Sequence, residues 1–228
     1  MTTRAGELAR FGDARIERAS TKELLALQRE LESKNEEIER LRAEHQAVVQ
    51  FHEDRYRAVT EQLATNTLAT RIKHGETASL EFKSSLRWNI HAKKVDREIE
   101  NAVLKTIVAF CNTKGGELLI GVADDKSIIG LDLDGFPNDD KFQLHLRNLL
   151  LDRIVPSVAE IVTFEMVTMN GKTICHVTCQ QSKTKDLWLK PDKNIPERFY
   201  VRLGPSSTEL APREAVAYIA DHFERTHG

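Results

Sequence analysis

The chain has 228 residues, 40% hydrophobic and 30% charged, with a formal net charge of −2. That composition suits one domain plus an accessory segment, and it excludes a uniformly basic nucleic-acid binder while leaving room for a local basic face. No run approaches the roughly 18 apolar residues of a membrane span, and MTTRAGELARFGDARIERAS lacks the apolar centre of a signal peptide, so a cytoplasmic protein without a membrane partner is expected.

Residues 20–66 contain neither glycine nor proline and are rich in helix formers. Ser20 and Thr21 are candidate N-caps, and Glu23 completes a capping box with Ser20. Leu24, Leu27, Leu31, Lys34, Ile38 and Leu41 follow alternating spacings of 3 and 4, an a/d seam with one polar interruption. The phase weakens through His45 and Val48, steps by four through His52 to Tyr56, and resumes at Val59 and Leu63, as in a stutter. An amphipathic helix packed on the next domain and a dimeric coiled coil both fit. The coiled coil is expected, because so long a helix needs a partner along its length. Residues 67–75, TLATRIKHG, read as a joint, which gives an N-terminal helix over 1–68 and a domain over 69–228.

From there the pattern alternates. Ser79–Lys83 reads as a half-buried strand, and Asp96–Phe110 as a helix with an apolar stripe of Ile99, Val103, Ile107 and Phe110. Leu118–Ala123 is apolar on both faces, as in a central strand, and Ile128–Leu131 is expected to continue the sheet. A helix opens at Asp139-Asp140. Asn170-Gly171 marks a hairpin between Ile161–Val167 and Thr173–Cys179. Phe199–Arg202 is a further strand, and Pro212 starts the last helix. The order predicts an α+β fold: helices packed on a mixed, largely antiparallel sheet, preceded by a long coiled-coil helix.

Three cysteines, Cys111, Cys175 and Cys179, make no disulfide framework. Cys175, Val177 and Cys179 alternate onto one face of a strand, and with no second ligand pair no zinc is expected. There is no P-loop, Rossmann glycine spacing or HExxH. His74 and His91 read as surface residues, although His74 stands beside Glu76.

The stretch GETASLEFKSS, residues 75–85, carries the chemistry. Period 2 puts Ser79, Glu81 and Lys83 on one face and Leu80 and Phe82 on the other. Glu76 lies an odd number of residues from Glu81, but Gly75 permits a bend that brings it back. Asp124 follows the apolar strand, where catalytic groups often sit. Three carboxylates together would hold Mg²⁺ or Mn²⁺, with Lys83 placed for a phosphate. A solvated strand edge fits the same residues.

Taken in order, GETASLEFKSS, IVAFCNTKGGELLIGVADDKSIIGL and FYVRLGPSSTEL resemble the AlbA-like domain of the Schlafen family over about residues 75–220. The resemblance implies a metal-dependent endoribonuclease cutting structured RNA such as tRNA. It also implies a three-acid site, which falls on Glu76, Glu81 and Asp124, with Asp125 the stand-in if the turn shifts by one. Two departures matter. Animal Schlafens carry two lobes and a zinc motif; this chain has one lobe and no such motif, and a coiled-coil homodimer would supply the second lobe. Many bacterial relatives look like DNA-binding or regulatory proteins, so a non-catalytic nucleic-acid module, with DNA as the other partner, stands beside the nuclease. A scaffold whose helix recruits a partner is the third reading. Lys93 and Lys94, together with Lys183, Lys185, Lys190 and Arg202 in a basic stretch that also holds Lys193 and Arg198, are the candidate nucleic-acid contacts, with Trp188 and Tyr200 for stacking. A solvated loop with a buried Trp188 is the alternative there.

Overall fold

The computed structural model describes residues 4–190 and 195–223, with side chains from residue 21 onward except at 61, 64 and 66. The chain divides into two compact units at Gln62/Leu63. The first belongs to α1, a continuous helix over Arg4–His74. It starts well before the capping position expected at Ser20, whose side chain lies outside the described residues. Nothing in residues 4–20 breaks a helix except one glycine, so propensity carries it further toward the N-terminus than the seam does. Among the described residues no helix is long and apolar enough to cross a membrane.

In the second unit the elements are β1 (Leu80–Lys83), β2 (Trp88–Asn89), β3 (Lys94–Val95), α2 (Arg97–Cys111), β4 (Gly116–Ile120), α3 (Asp139–Arg153), β5 (Ile154–Val155), β6 (Val162–Met169), β7 (Lys172–Cys179), β8 (Trp188–Leu189), β9 (Arg198–Leu203), β10 (Ser206–Leu210) and α4 (Pro212–His222). The fold is α+β. One four-stranded sheet runs β1-β4-β7-β6, a second runs β10-β9-β8-β5, and β2 and β3 form a separate hairpin. Among the described residues β1 and β4 pair in parallel and the other strand pairings are antiparallel.

Local chemistry explains most boundaries. The Asp96 side chain caps α2 at the Glu98 N–H, and Asn138 caps α3 at the Lys141 N–H. Asn170 (φ 52) and Gly171 (φ 74) take the left-handed conformations that a two-residue hairpin turn needs. Ile128–Leu131 is not a strand. Only a single bridge, Val122↔Ile128, forms there, because Gly121 and Gly130 both turn the backbone to positive φ. The hairpin β2–β3 and the short strands β5, β8 and β10 were not legible as periodic runs.

The first sheet is buried on both faces. On one, Leu118, Ile120, Cys175, Val177 and Cys179 pack under α2 and α3. On the other, Leu80, Phe82, Leu119 and Ile174 are covered by Leu68 and Ile72 from the end of α1. Burying side chains of this size stabilises by about 1.5–3 kcal/mol each. Asn112, just past α2, fastens the second sheet to the end of that helix: its Nδ2 donates to Leu187 O (2.8 Å) and Tyr200 O (3.0 Å), and its Oδ1 accepts from Leu187 N (2.9 Å).

Candidate functional site

Gly75 ends α1. Its φ of +93° closes the last turn, its N–H reaching Ile72 O at 3.0 Å, and a side chain there would meet Lys126 Cε at 3.2 Å. The chain then reverses at Thr77–Leu80 and enters β1. β1 is an edge strand, so one side of its backbone lacks a ladder partner. Glu76 fills one such vacancy: its Oε1 accepts the Phe82 N–H at 2.7 Å. The bend at Gly75 thus brings Glu76 back to the strand, but as a strand-edge cap.

Glu81 and Lys83 share the face toward the second sheet. Glu81 is held on both oxygens, by Lys83 Nζ at 2.5 Å and by Arg202 Nη2 at 2.6 Å. Arg202, on β9, leaves only 3% of its side chain exposed. It also donates to Ala78 O, Thr77 O and Ser207 Oγ, each at 3.2 Å, and lies 4.8 Å from the Phe110 ring centre. A buried guanidinium with a carboxylate and several carbonyls is well satisfied. Arg202 was expected on a nucleic-acid surface; it is instead a buried bracket between the two sheets. Its place on a strand packed over Phe110 is what withdraws it from solvent.

Beyond Lys83 opens a cleft of about 260 Å³, lined by Lys83, Ser84, Trp88, Asn89, His91 and Asp124 among others. Its wall is fixed by Asp134, whose buried carboxylate accepts the N–H groups of Leu86 (3.0 Å), Arg87 (2.8 Å) and Trp88 (3.2 Å). Burial pushes the Asp134 carboxyl up from its usual range, against those N–H groups. Ser85 Oγ adds a 2.6 Å bond to Trp88 O. Asp124 and Asp125 part company in the turn after β4. Asp125 accepts the Ser127 N–H at 2.9 Å, and its bonds to Ser127 lower its pKa, whereas Asp124 stands exposed at the cleft.

Among the described residues no group of three or more His, Cys, Asp or Glu lies close enough together to hold a metal ion. The donor set explains why. Glu76 is engaged at the strand edge, both Glu81 oxygens face cations, and Asp124 is on the cleft. As placed, Glu76, Glu81 and Asp124 do not fit a three-carboxylate Mg²⁺ or Mn²⁺ site.

Of the basic candidates, Lys93 and Lys94 are exposed on the β2–β3 hairpin, whose other strand lines the cleft. Lys183, Lys185 and Lys190 are exposed on the segment leading into and out of β8, and Lys193 lies outside the described residues. Trp188 and Tyr200 are not stacking platforms. Trp188 packs on Phe199 at 5.1 Å between ring centres and donates to Asp186, and Tyr200 is 5% exposed. The aromatic group at the cleft is Trp88, which sequence reasoning passed over. The polar run Ser84, Ser85, Asn89 and His91, directly after a strand, was the signal for it.

On the opposite face of the first sheet Glu117 binds Arg71 Nη2 at 2.7 Å and His176 Nε2 at 2.6 Å, and His176 Nδ1 lies 3.2 Å from Glu165. The His176 bond and, behind it, Arg71 hold Glu117 down to about 2. Burial lowers the His176 pKa, but the two carboxylates outweigh it and the net shift is upward.

The profile of the family Schlafen, AlbA_2 matches residues 76–211, more than half of the chain. No protein of curated function matches. Among solved structures, the DIP2311 protein from Corynebacterium diphtheriae is similar at 18% identity and a TM-score of 0.46, over 64% of this chain and 24% of that one, so the match spans about a quarter of that protein's length. The N-terminal domain of an ATP-dependent DNA helicase RecG-related protein from Nitrosomonas europaea is similar at 22% identity and a TM-score of 0.41, over 65% of this chain and 93% of that one. The profile runs from Glu76 at the strand edge through every strand of both sheets, and by it this chain belongs to the Schlafen AlbA_2 family.

Proposed function

We propose that the chain binds nucleic acid, structured RNA such as tRNA ahead of DNA, at the cleft beside β1, and that it does so in the cytoplasm as a homodimer joined through α1. The observation that carries this reading is the pairing of Lys83 and Trp88 in one cleft, beside a hairpin bearing Lys93 and Lys94. A lysine offers a point charge to a phosphate, and an indole offers a face to an unstacked base, which single-stranded and bulged RNA presents and duplex DNA does not. Exposed Lys183, Lys185 and Lys190 would extend the backbone contacts. Fluorescence anisotropy with a tRNA pool and a DNA duplex tests it. Lys83→Ala and the pair Lys93→Ala/Lys94→Ala should each weaken RNA binding and flatten the salt dependence by about one unit of slope per lysine removed. Binding unchanged in both variants would move the interface elsewhere.

Metal-dependent cleavage of that RNA is the second reading, favoured by Asp124 standing on the same cleft as Lys83. It requires Glu81 to leave Arg202. Incubating the tRNA pool with Mn²⁺, Mg²⁺ or EDTA, for the native chain and Glu81→Ala, decides between the two. Cutting that needs metal and Glu81 supports the nuclease; retention without cutting supports the binding module.

A further inference from the structure

We infer that α1 pairs with a second copy of itself as a parallel, in-register, two-stranded coiled coil. The inference rests on the homodimer reading and adds its direction and alignment. Within the first unit the seam is unpartnered: Leu24, Leu27, Leu31, Leu41 and Val48 are each more than half exposed, and Ile38 is 44% exposed.

The flanks of the seam decide the direction. With Leu24, Leu31 and Ile38 at a and Leu27, Lys34 and Leu41 at d, the g positions are Glu23, Glu30, Glu37 and Glu44. The e positions are Gln28, Asn35, Arg42 and Val49. Antiparallel helices set g against g, which would align one row of glutamates against another. Parallel helices set each g against the e of the next heptad, so Glu23 meets Gln28, Glu30 meets Asn35, Glu37 meets Arg42 and Glu44 meets Val49. None of these is a like-charge pair, and one attracts.

The interruptions decide the alignment. Lys34 occupies a d position, and its Nζ already reaches sideways to the g residue Glu37 at 3.0 Å. His45 and His52 follow at a. In register, each polar layer meets its own copy at the same level, where side chains can lean out to water. Slipped by one heptad, Lys34 would face Leu27 or Leu41 and strand an ammonium against apolar groups. Two strands also leave these layers wetter than a three-stranded core would. Parallel pairing brings the two Leu63 positions to the same end, so two copies of the folded unit follow from one point and can engage one nucleic acid together.

Single cysteines test this in the full chain, because Cys111, Cys175 and Cys179 are buried and do not compete. Leu27→Cys, Ile38→Cys and Leu41→Cys are oxidised mildly and run on a non-reducing gel, with light scattering on the native chain and on each variant. Leu27 and Leu41 are about 21 Å apart along a helix. An antiparallel pair brings only its central residue to its own copy, so crosslinking of both Leu27→Cys and Leu41→Cys supports the parallel, in-register pair. A mass of twice 25.9 kDa with crosslinking at one position or none overturns the direction and alignment but keeps the dimer. Three times that mass overturns the two-stranded state. The mass of a single native chain overturns the homodimer reading as well.

Discussion

Glu81 and Glu117 stand on neighbouring strands of one sheet, and the parallel register turns them to opposite faces. Each is partly buried, and each is held by an arginine from a distant segment. The difference lies in the partners. Glu81 meets two permanent cations, one of them, Arg202, almost wholly buried. Glu117 meets an arginine with 37% of its side chain exposed and a histidine that can lose its charge. A buried ion pair is costly to break because the survivor is left unpaired, whereas an exposed one is screened by water. The face with the deeper pair also borders the cleft; the other is covered by the end of α1.

The sharpest break of this contrast is Arg202→Ala. It should cost about 3–5 kcal/mol in chemical denaturation, since it leaves Glu81 with Lys83 alone and frees two carbonyls in a buried setting. A loss under about 1 kcal/mol would show that the bracket is ornamental. Next, Arg202→Met combined with Glu81→Gln should recover most of that loss, with the two changes strongly non-additive. Additive losses would mean that Arg202 acts through Phe110 and the carbonyls instead. On the other face, Arg71→Ala should cost no more than about 1 kcal/mol.

The smallest effect is in the pH profile. Glu117 is lowered from 4.5 to about 2, so its contribution is fully present above 4.5 and is lost as pH falls toward 2. His176 is raised above 6.5, so its contribution is fully present below 6.5 and is lost as pH rises through the folded value. Thermal melts across pH should therefore slope down on both sides for the native chain. His176→Gln should remove the alkaline slope and shrink the acid one to the share that Arg71 supplies. An unchanged alkaline slope would assign it to another group.

Much of the fold was legible because its signals are local. The α2 stripe, the Asn170-Gly171 turn and the alternation at Leu80 and Phe82 each depend on residues a few positions apart. The site was legible in part. Strand period and the bend at Gly75 bring Glu76 back to β1, and the position after β4 puts Asp124 at the cleft. Arg202 was misread because a charged residue in a sequence looks exposed until its strand has a partner.

The sequence by itself determined the helix, its seam, most of the strands and the family blocks, since propensity, periodicity and turn chemistry act over short spans. Only the tertiary structure decided what the charges do. Glu81 and Arg202 are 121 residues apart, and Glu117 and His176 are 59 apart. Whether a carboxylate meets a cation, a strand edge or open solvent depends on which segments pack together, and that is set by burial of the whole core.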